Sequence, residues 1–286
     1  MRIVFTLTFV FTLGWSFAQD YEQAFKNKQL INAQTAVIPD GFDFTIMHRF
    51  GEVALNEDFY KDFLGFDLPA NIRFSLSYKI NDRFYLGIGR TKIGKTIDVE
   101  GKYLLLRQTK DNSSPLSVAV FHSTGVSTSE FDAVRETMFF GDSITPFENK
   151  FLHRLSFNTQ LILSKRFNEW LSLQFSPTVI YKNLIVGHEL KHHTFVLPFS
   201  GRLQYSFGSA ILFEYAHKLN NRSDEALNNP FSFGFEFGTA GHVFQVFATN
   251  SYYLRESNIY TENVSDIYDK PFKHHLGFNI RRVWWF

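Results

Sequence analysis

The chain has 286 residues, with 29 Lys and Arg against 28 Asp and Glu, a formal net charge of +1 and no cysteine. The near balance of charge removes the electrostatic footprint of a nucleic-acid binder. The absence of cysteine removes disulfides, thiolate metal sites, a cysteine nucleophile and a lipidated N-terminal cysteine.

Met1-Arg2, the apolar run Ile3 to Leu13 and the small-x-small sequence Ser16-Phe17-Ala18 read as a secretory signal peptide over residues 1–18. The run is too short for a membrane anchor helix, which needs about 20 apolar residues. Residues 19–40 are polar, with a weakly amphipathic piece at Leu30-Ile31-Asn32-Ala33-Gln34. They are expected to form a periplasmic lead-in or a short plug ahead of a single domain over 41–286.

From residue 41 the pattern alternates with period two, as in a strand with two unlike faces. Ile72, Phe74, Leu76, Tyr78 and Ile80 share one face, and Arg73, Ser75, Ser77 and Lys79 share the other. Phe231, Phe233, Phe235 and Phe237 alternate with Ser232, Gly234, Glu236 and Gly238. Such segments fall near 41–50, 70–80, 83–91, 96–107, 115–126, 151–166, 170–181, 194–206, 209–217, 230–238, 242–250 and 272–286. The 35 Phe favour strands, because a flat ring covers a pleated surface.

Short turns at 81–82, 108–114, 168–169, 207–208 and 239–241 alternate with mostly long polar connections at 51–69, 92–95, 127–150, 182–193, 218–229 and 251–271. That layout predicts an all-β, transmembrane antiparallel up-and-down barrel of about 12 strands, with short turns in the periplasm and long loops outside. Closure follows because lipid offers an open sheet edge no hydrogen-bonding partner. Trp170, Tyr205, Phe207, Trp284, Trp285 and Phe286 gather at the expected periplasmic ends, where rings suit the membrane interface. The final segment, ending on Phe286, has the form of a signal read by the outer-membrane assembly machinery. The partners expected are therefore the bilayer and that machinery, with no nucleic acid and no identified envelope protein. A secreted β-sandwich or soluble barrel is the competing fold, and it explains neither the Phe faces nor the alternating loops.

His48-Arg49-Phe50-Gly51, Ala70-Asn71-Ile72-Arg73, Gly87-Ile88-Gly89-Arg90, Lys102-Tyr103, Leu106-Arg107-Gln108 and Gly241-His242-Val243-Phe244-Gln245 resemble an uncharacterised β-barrel family of Bacteroidota envelopes. The resemblance covers essentially the whole mature chain and implies an outer-membrane barrel. It carries no activity, cofactor or catalytic residue.

His188-Glu189-Leu190-Lys191-His192 matches the H-E-x-x-H signature of zinc proteases. That chemistry needs a helix and a third ligand, for which Glu214 is a distant candidate. The motif instead falls in a short loop between strands, so the default is a solvated loop. Adventitious metal binding through His188, His192 and His193 is the weaker alternative, and no cofactor is expected. His48, His122 and His153 fall on outward positions, and no Ser–His pair marks an outer-wall hydrolase. The inward positions carry Arg49, Arg73, Lys79, Asp98, Glu100, Lys102, Arg154, Arg202, Glu214, Glu236 and Arg281.

These charges either line a pore for small solutes or pair with one another and fill the lumen. A narrow, porin-like channel and a non-transporting envelope interaction protein therefore both fit the sequence. The aromatic loop 131–147, with Phe131, Met138, Phe139 and Phe140, serves either role as a constriction or a contact surface.

Overall fold

The computed structural model describes residues 20–54, 60–130, 139, 144–185, 191–220, 228–239, 241–265 and 273–284. The expected signal peptide, Trp285, Phe286, His188 and Glu189 lie outside the described residues, as do Phe131, Met138 and Phe140.

The described strands are β1 (Phe42–Ala54), β2 (Asn71–Asn81), β3 (Phe84–Thr91), β4 (Thr96–Leu106), β5 (Ser117–Ser127), β6 (Leu155–Arg166), β7 (Leu171–Phe175), β8 (Thr178–Lys182), β9 (His193–Ser206), β10 (Ser209–Lys218), β11 (Phe231–Gly238), β12 (His242–Thr249) and β13 (Lys273–Trp284). All pairings are antiparallel, and β13 closes on β1 with Met47 opposite Asn279. Both β7 and β8 pair with β6 on one side and β9 on the other. They are two halves of one stave, so the barrel has twelve staves.

The break lies at Ser176-Pro177. Pro177 has no N–H to give the ladder. Its carbonyl still accepts Leu161 N–H at 3.0 Å, and Ser176 N–H donates to Pro198 O at 2.9 Å. The stave is therefore kinked but not lost.

Alternation places apolar side chains outward all round the wall. Phe74, Leu76, Leu86, Ile88, Val99, Phe199, Phe233, Phe235, Phe244 and Val246 are all exposed. Such an exterior needs acyl chains as solvent. An eleven-residue strand such as β2 or β4, rising about 3.3 Å per residue and tilted about 40°, reaches about 28 Å along the barrel axis, enough for the apolar band. Among the described residues no helix is long and apolar enough to cross a membrane.

The inside is filled from both ends. Residues 20–40 enter at the short-turn end, where Tyr21 bridges Thr109. They rise into the lumen, reverse at Leu30-Ile31-Asn32-Ala33 and descend to β1. Leu30 N–H donates to Ala33 O at 2.9 Å, Thr35 N–H donates to Lys28 O at 2.9 Å, and Gln29 bridges Gln34, which makes this segment a small hairpin. From the long-loop end the connection between β12 and β13 dips inward and forms one short helix, α1 (Glu256–Glu262). Its Ile259 and Tyr260 pack on Ile180, Val196 and Ala216 of the wall.

Candidate functional site, the plugged lumen

The wall side chains that could line a pore mostly engage the hairpin. Glu214 on β10 accepts Asn32 N–H at 3.0 Å with each carboxylate oxygen and Ala33 N–H at 3.1 Å, so one carboxylate clasps the reversal. Asn32 is fixed twice more. Its Nδ2 donates to Ser232 Oγ at 2.8 Å, and its Oδ1 accepts Arg49 Nη2 at 2.8 Å. The Arg49 guanidinium also lies 4.1 Å from the Phe247 ring centroid. Lys102 donates to two backbone carbonyls of the hairpin, Lys28 O at 2.9 Å and Val37 O at 3.4 Å. Asn279 Nδ2 reaches Ile31 O at 2.9 Å, and Gln174 Nε2 reaches Gln34 O at 2.7 Å. Side-chain groups of the wall thus take up backbone groups of the inserted segment, as burial away from water requires.

The charges form an alternating ladder along the lumen. Arg255, just before α1, lies 3.4 Å from Asp98. Arg73 holds Asp98 through both guanidinium nitrogens and reaches Glu100 at 3.5 Å. Lys28 of the hairpin lies 3.4 Å from Glu100 and 3.8 Å from Asp43. Arg281 pairs with Asp43 at the far end. A second group joins Arg202 to Glu236 at 2.9 Å, and Glu236 accepts Asn27 Nδ2 at 2.8 Å. Pairing of opposite signs is what makes such burial tolerable.

The two inserted segments meet at Glu256. Its Oε1 accepts Gln34 N–H at 3.3 Å and the Tyr260 hydroxyl at 3.5 Å, and its Oε2 accepts Asn158 Nδ2 at 3.3 Å. Burial pushes its carboxyl up to about 7, with the Glu214 carboxylate adding to the rise, against the partial offset of Gln160, the Gln34 N–H and Lys102.

Of the charged residues expected inside, Arg49, Arg73, Asp98, Glu100, Lys102, Arg202, Glu214, Glu236 and Arg281 are buried in the lumen. Lys79 sits at the short-turn rim, paired with Asp82 at 2.7 Å. Arg154 lies in the long-loop mouth and donates to Ser127 O at 3.0 Å. Trp170, Tyr205 and Phe207 are exposed at the short-turn end. Trp284 is half-buried, with the Arg282 guanidinium 5.3 Å from its ring centroid.

The loop histidines are placed apart in role. His192 Nδ1 contacts Lys182 O at 2.8 Å, and His193 packs edge-on against Phe195. Among the described residues no group of three or more His, Cys, Asp or Glu is placed to hold a metal. Phe139 is exposed and bridges Pro146.

The hairpin ligands Asn27, Lys28 and Asn32 had no periodic signal in the sequence, nor did Arg255 and Glu256 of the inserted loop. Asp43 did have one, since it shares parity with Arg49 on β1.

Comparison with known proteins adds a family and a fold. The barrel is similar to the solved structures of the KdgM porin (TM-score 0.51, 9% identity, 85% of this chain and 99% of that one) and the NanC porin (TM-score 0.52, 8% identity, 85% and 100%). It is also similar to the KdgM porin in complex with disordered oligogalacturonate (TM-score 0.50, 9% identity, 85% and 99%). At these identities the likeness is one of fold. No curated protein matches the chain. A family model described as a membrane bound beta barrel domain matches residues 25–284. The chain therefore belongs to that family, DUF5777, the membrane-bound β-barrel domains.

Proposed function

We propose that this protein is an outer-membrane channel for small solutes whose lumen is closed by its own N-terminal hairpin and opens when the hairpin withdraws through the short-turn mouth. In this reading residues 1–18 direct export, the assembly machinery inserts the barrel, the short turns face the periplasm and no catalysis takes place. The observation that carries the reading is the polar character of the seal. The hairpin is held by Glu214, Arg49, Lys102 and Asn279, groups that water can replace when it leaves. The wall it would leave behind is mostly polar and mixed in charge, as in a water-filled barrel, with apolar patches at Leu212 and Phe247 and at Leu104, Phe121 and Ile162 where the hairpin packs. The KdgM and NanC porins share the architecture and support the channel class.

A non-transporting barrel is the second reading. It is favoured by the closure from both ends, with α1 bonded to the hairpin through Glu256.

Planar-bilayer recording separates the two. A variant lacking residues 20–37 should give steady discrete conductance where the parent is mostly closed. An Asn32→Cys, Ser232→Cys pair should lock the parent shut when oxidised and release it on reduction. A folded deletion variant that stays silent refutes the channel and leaves the non-transporting barrel.

A further inference from the structure

We infer that the long-loop mouth holds a binding site for a small hydroxylated solute bearing one carboxylate or phosphate group, with Arg255 as its principal anchor. A cavity of about 340 Å³ lies there, above α1, a size within the range of small-molecule sites. Arg154, Lys182 and Arg255 bring positive charge to its wall, and Thr96, Ser127 and Ser156 bring hydroxyls.

Arg255 is the telling residue. It is buried, yet its side-chain contacts are all long. They run 3.4 Å to Asp98, 3.4 Å to Ser156 from each of two nitrogens, and 3.5 Å to Asn258. Charge-assisted bonds from a guanidinium normally close to about 2.8 Å. Asp98 does not neutralise it, because Arg73 already holds both oxygens of that carboxylate. One carboxylate thus serves two guanidinium groups at the mouth end of the ladder.

The other acids of the wall are placed otherwise. Glu262 is taken by Lys182 and by Asn258 Nδ2 at 3.0 Å, and Glu130 stands at the exposed rim. The chain also makes room for the guanidinium. A Cβ on Gly125 of β5 would stand 2.0 Å from Arg255 Nη2, so the guanidinium lies flush against the wall at a residue with no side chain. A planar fork whose contacts are all 3.4 Å or longer, a flanking ammonium shared with Glu262 and a group of hydroxyls match an oxyanion attached to a polyol. The neutral lower lumen would let such a solute pass without trapping it.

The inference deepens the channel reading by naming its solute class, and it rests on that reading for transport but not for binding. The test therefore measures binding on the folded, detergent-solubilised barrel by calorimetry, with sodium gluconate, glycerol 3-phosphate and uncharged sorbitol as probes. Gluconate or glycerol 3-phosphate should bind and sorbitol should not, and the tighter of the two identifies carboxylate or phosphate as the group read. Arg255→Gln should weaken the anion at least tenfold, and Arg255→Lys should restore part of the loss. Lys182→Gln, on the outer side of the cavity, should weaken it severalfold and reads the same site if Arg255→Gln fails to fold. Equal affinity for sorbitol, no anion binding by the parent, or unchanged affinity in folded Arg255→Gln and Lys182→Gln overturns the inference. Failure of the channel reading would show separately, as anion binding without conductance in the deletion variant.

Discussion

Replacing Lys28 by Met is the sharpest test of how the hairpin is held. Lys28 is the single hairpin residue in the charge ladder, 3.4 Å from Glu100 and 3.8 Å from Asp43. Methionine keeps the length and apolar stem of the side chain but leaves both carboxylates facing an uncharged neighbour. Breaking a buried pair from one side costs about 3–5 kcal/mol. The lower end applies here, because Glu100 keeps Arg73 and Asp43 keeps Arg281. In the withdrawn state water solvates both acids, so the cost falls on the inserted state alone. At about 1.4 kcal/mol per decade, a loss of about 3 kcal/mol raises the withdrawn population on the order of 100-fold. The chain has no cysteine of its own, so one introduced thiol reports cleanly. Ser232→Cys puts it beneath Asn32, at a position with no exposure while the hairpin is in place. Its labelling rate by a water-soluble maleimide should rise on the order of 100-fold in the Lys28→Met background, with the barrel still folded by heat-modifiable gel mobility. A rise of less than threefold would refute the claim that this lysine secures the hairpin.

Three further outcomes are expected. Glu214→Gln weakens the clasp on Asn32 and Ala33 by about 1–3 kcal/mol and should speed labelling of the same thiol about tenfold; an unchanged rate would mean the clasp adds nothing. Glu256 has its carboxyl raised from 4.5 to about 7, so the docked loop is most stable below pH 4.5 and loses that stability as pH rises through about 7, by about 3 kcal/mol in all. Labelling of an Ile259→Cys thiol, normalised at each pH to that of a free thiol, should therefore accelerate across that window and level off above it, and a normalised slope that persists in Glu256→Gln assigns it to another group. Phe235→Arg puts a charge on the lipid face of β11 and should cost about 2–4 kcal/mol in urea unfolding from liposomes, whereas no loss would contradict an acyl-chain environment there.

The wall was legible in the sequence and its contents were not. Phe231 to Phe237 announced β11 because lipid and lumen impose opposite demands on alternate residues, and the same contrast runs round the barrel. The break at Pro177 falls inside the segment 170–181, which alternation alone reads as one strand. Residues 24–37 carried only the weak amphipathic piece at Leu30–Gln34, because the hairpin draws its apolar cluster of Ala24, Phe25, Leu30, Ile31 and Val37 from both arms and the reversal, at no single spacing. Its contacts pair residues far apart in the chain, as with Asn32 and Glu214, and no local spacing encodes them. The seven-residue α1 is likewise too short to print a helical period on the sequence. For the site, alternation put Arg49, Lys102 and Glu214 on the inward parity, and which groups they meet there, here the backbone and side chains of the hairpin, no local pattern encodes.

Both arms of the inserted hairpin pass through the same mouth, one leading to Asp20 and the other to β1. A segment that came in at one end of the cylinder and left at the other would be threaded, and freeing it would mean parting the staves. This one is not threaded. On the gating proposed above it would slide out as a folded-back strand while the hydrogen-bonded ring around it stays whole, and its connection into β1 would hold it beside the opening.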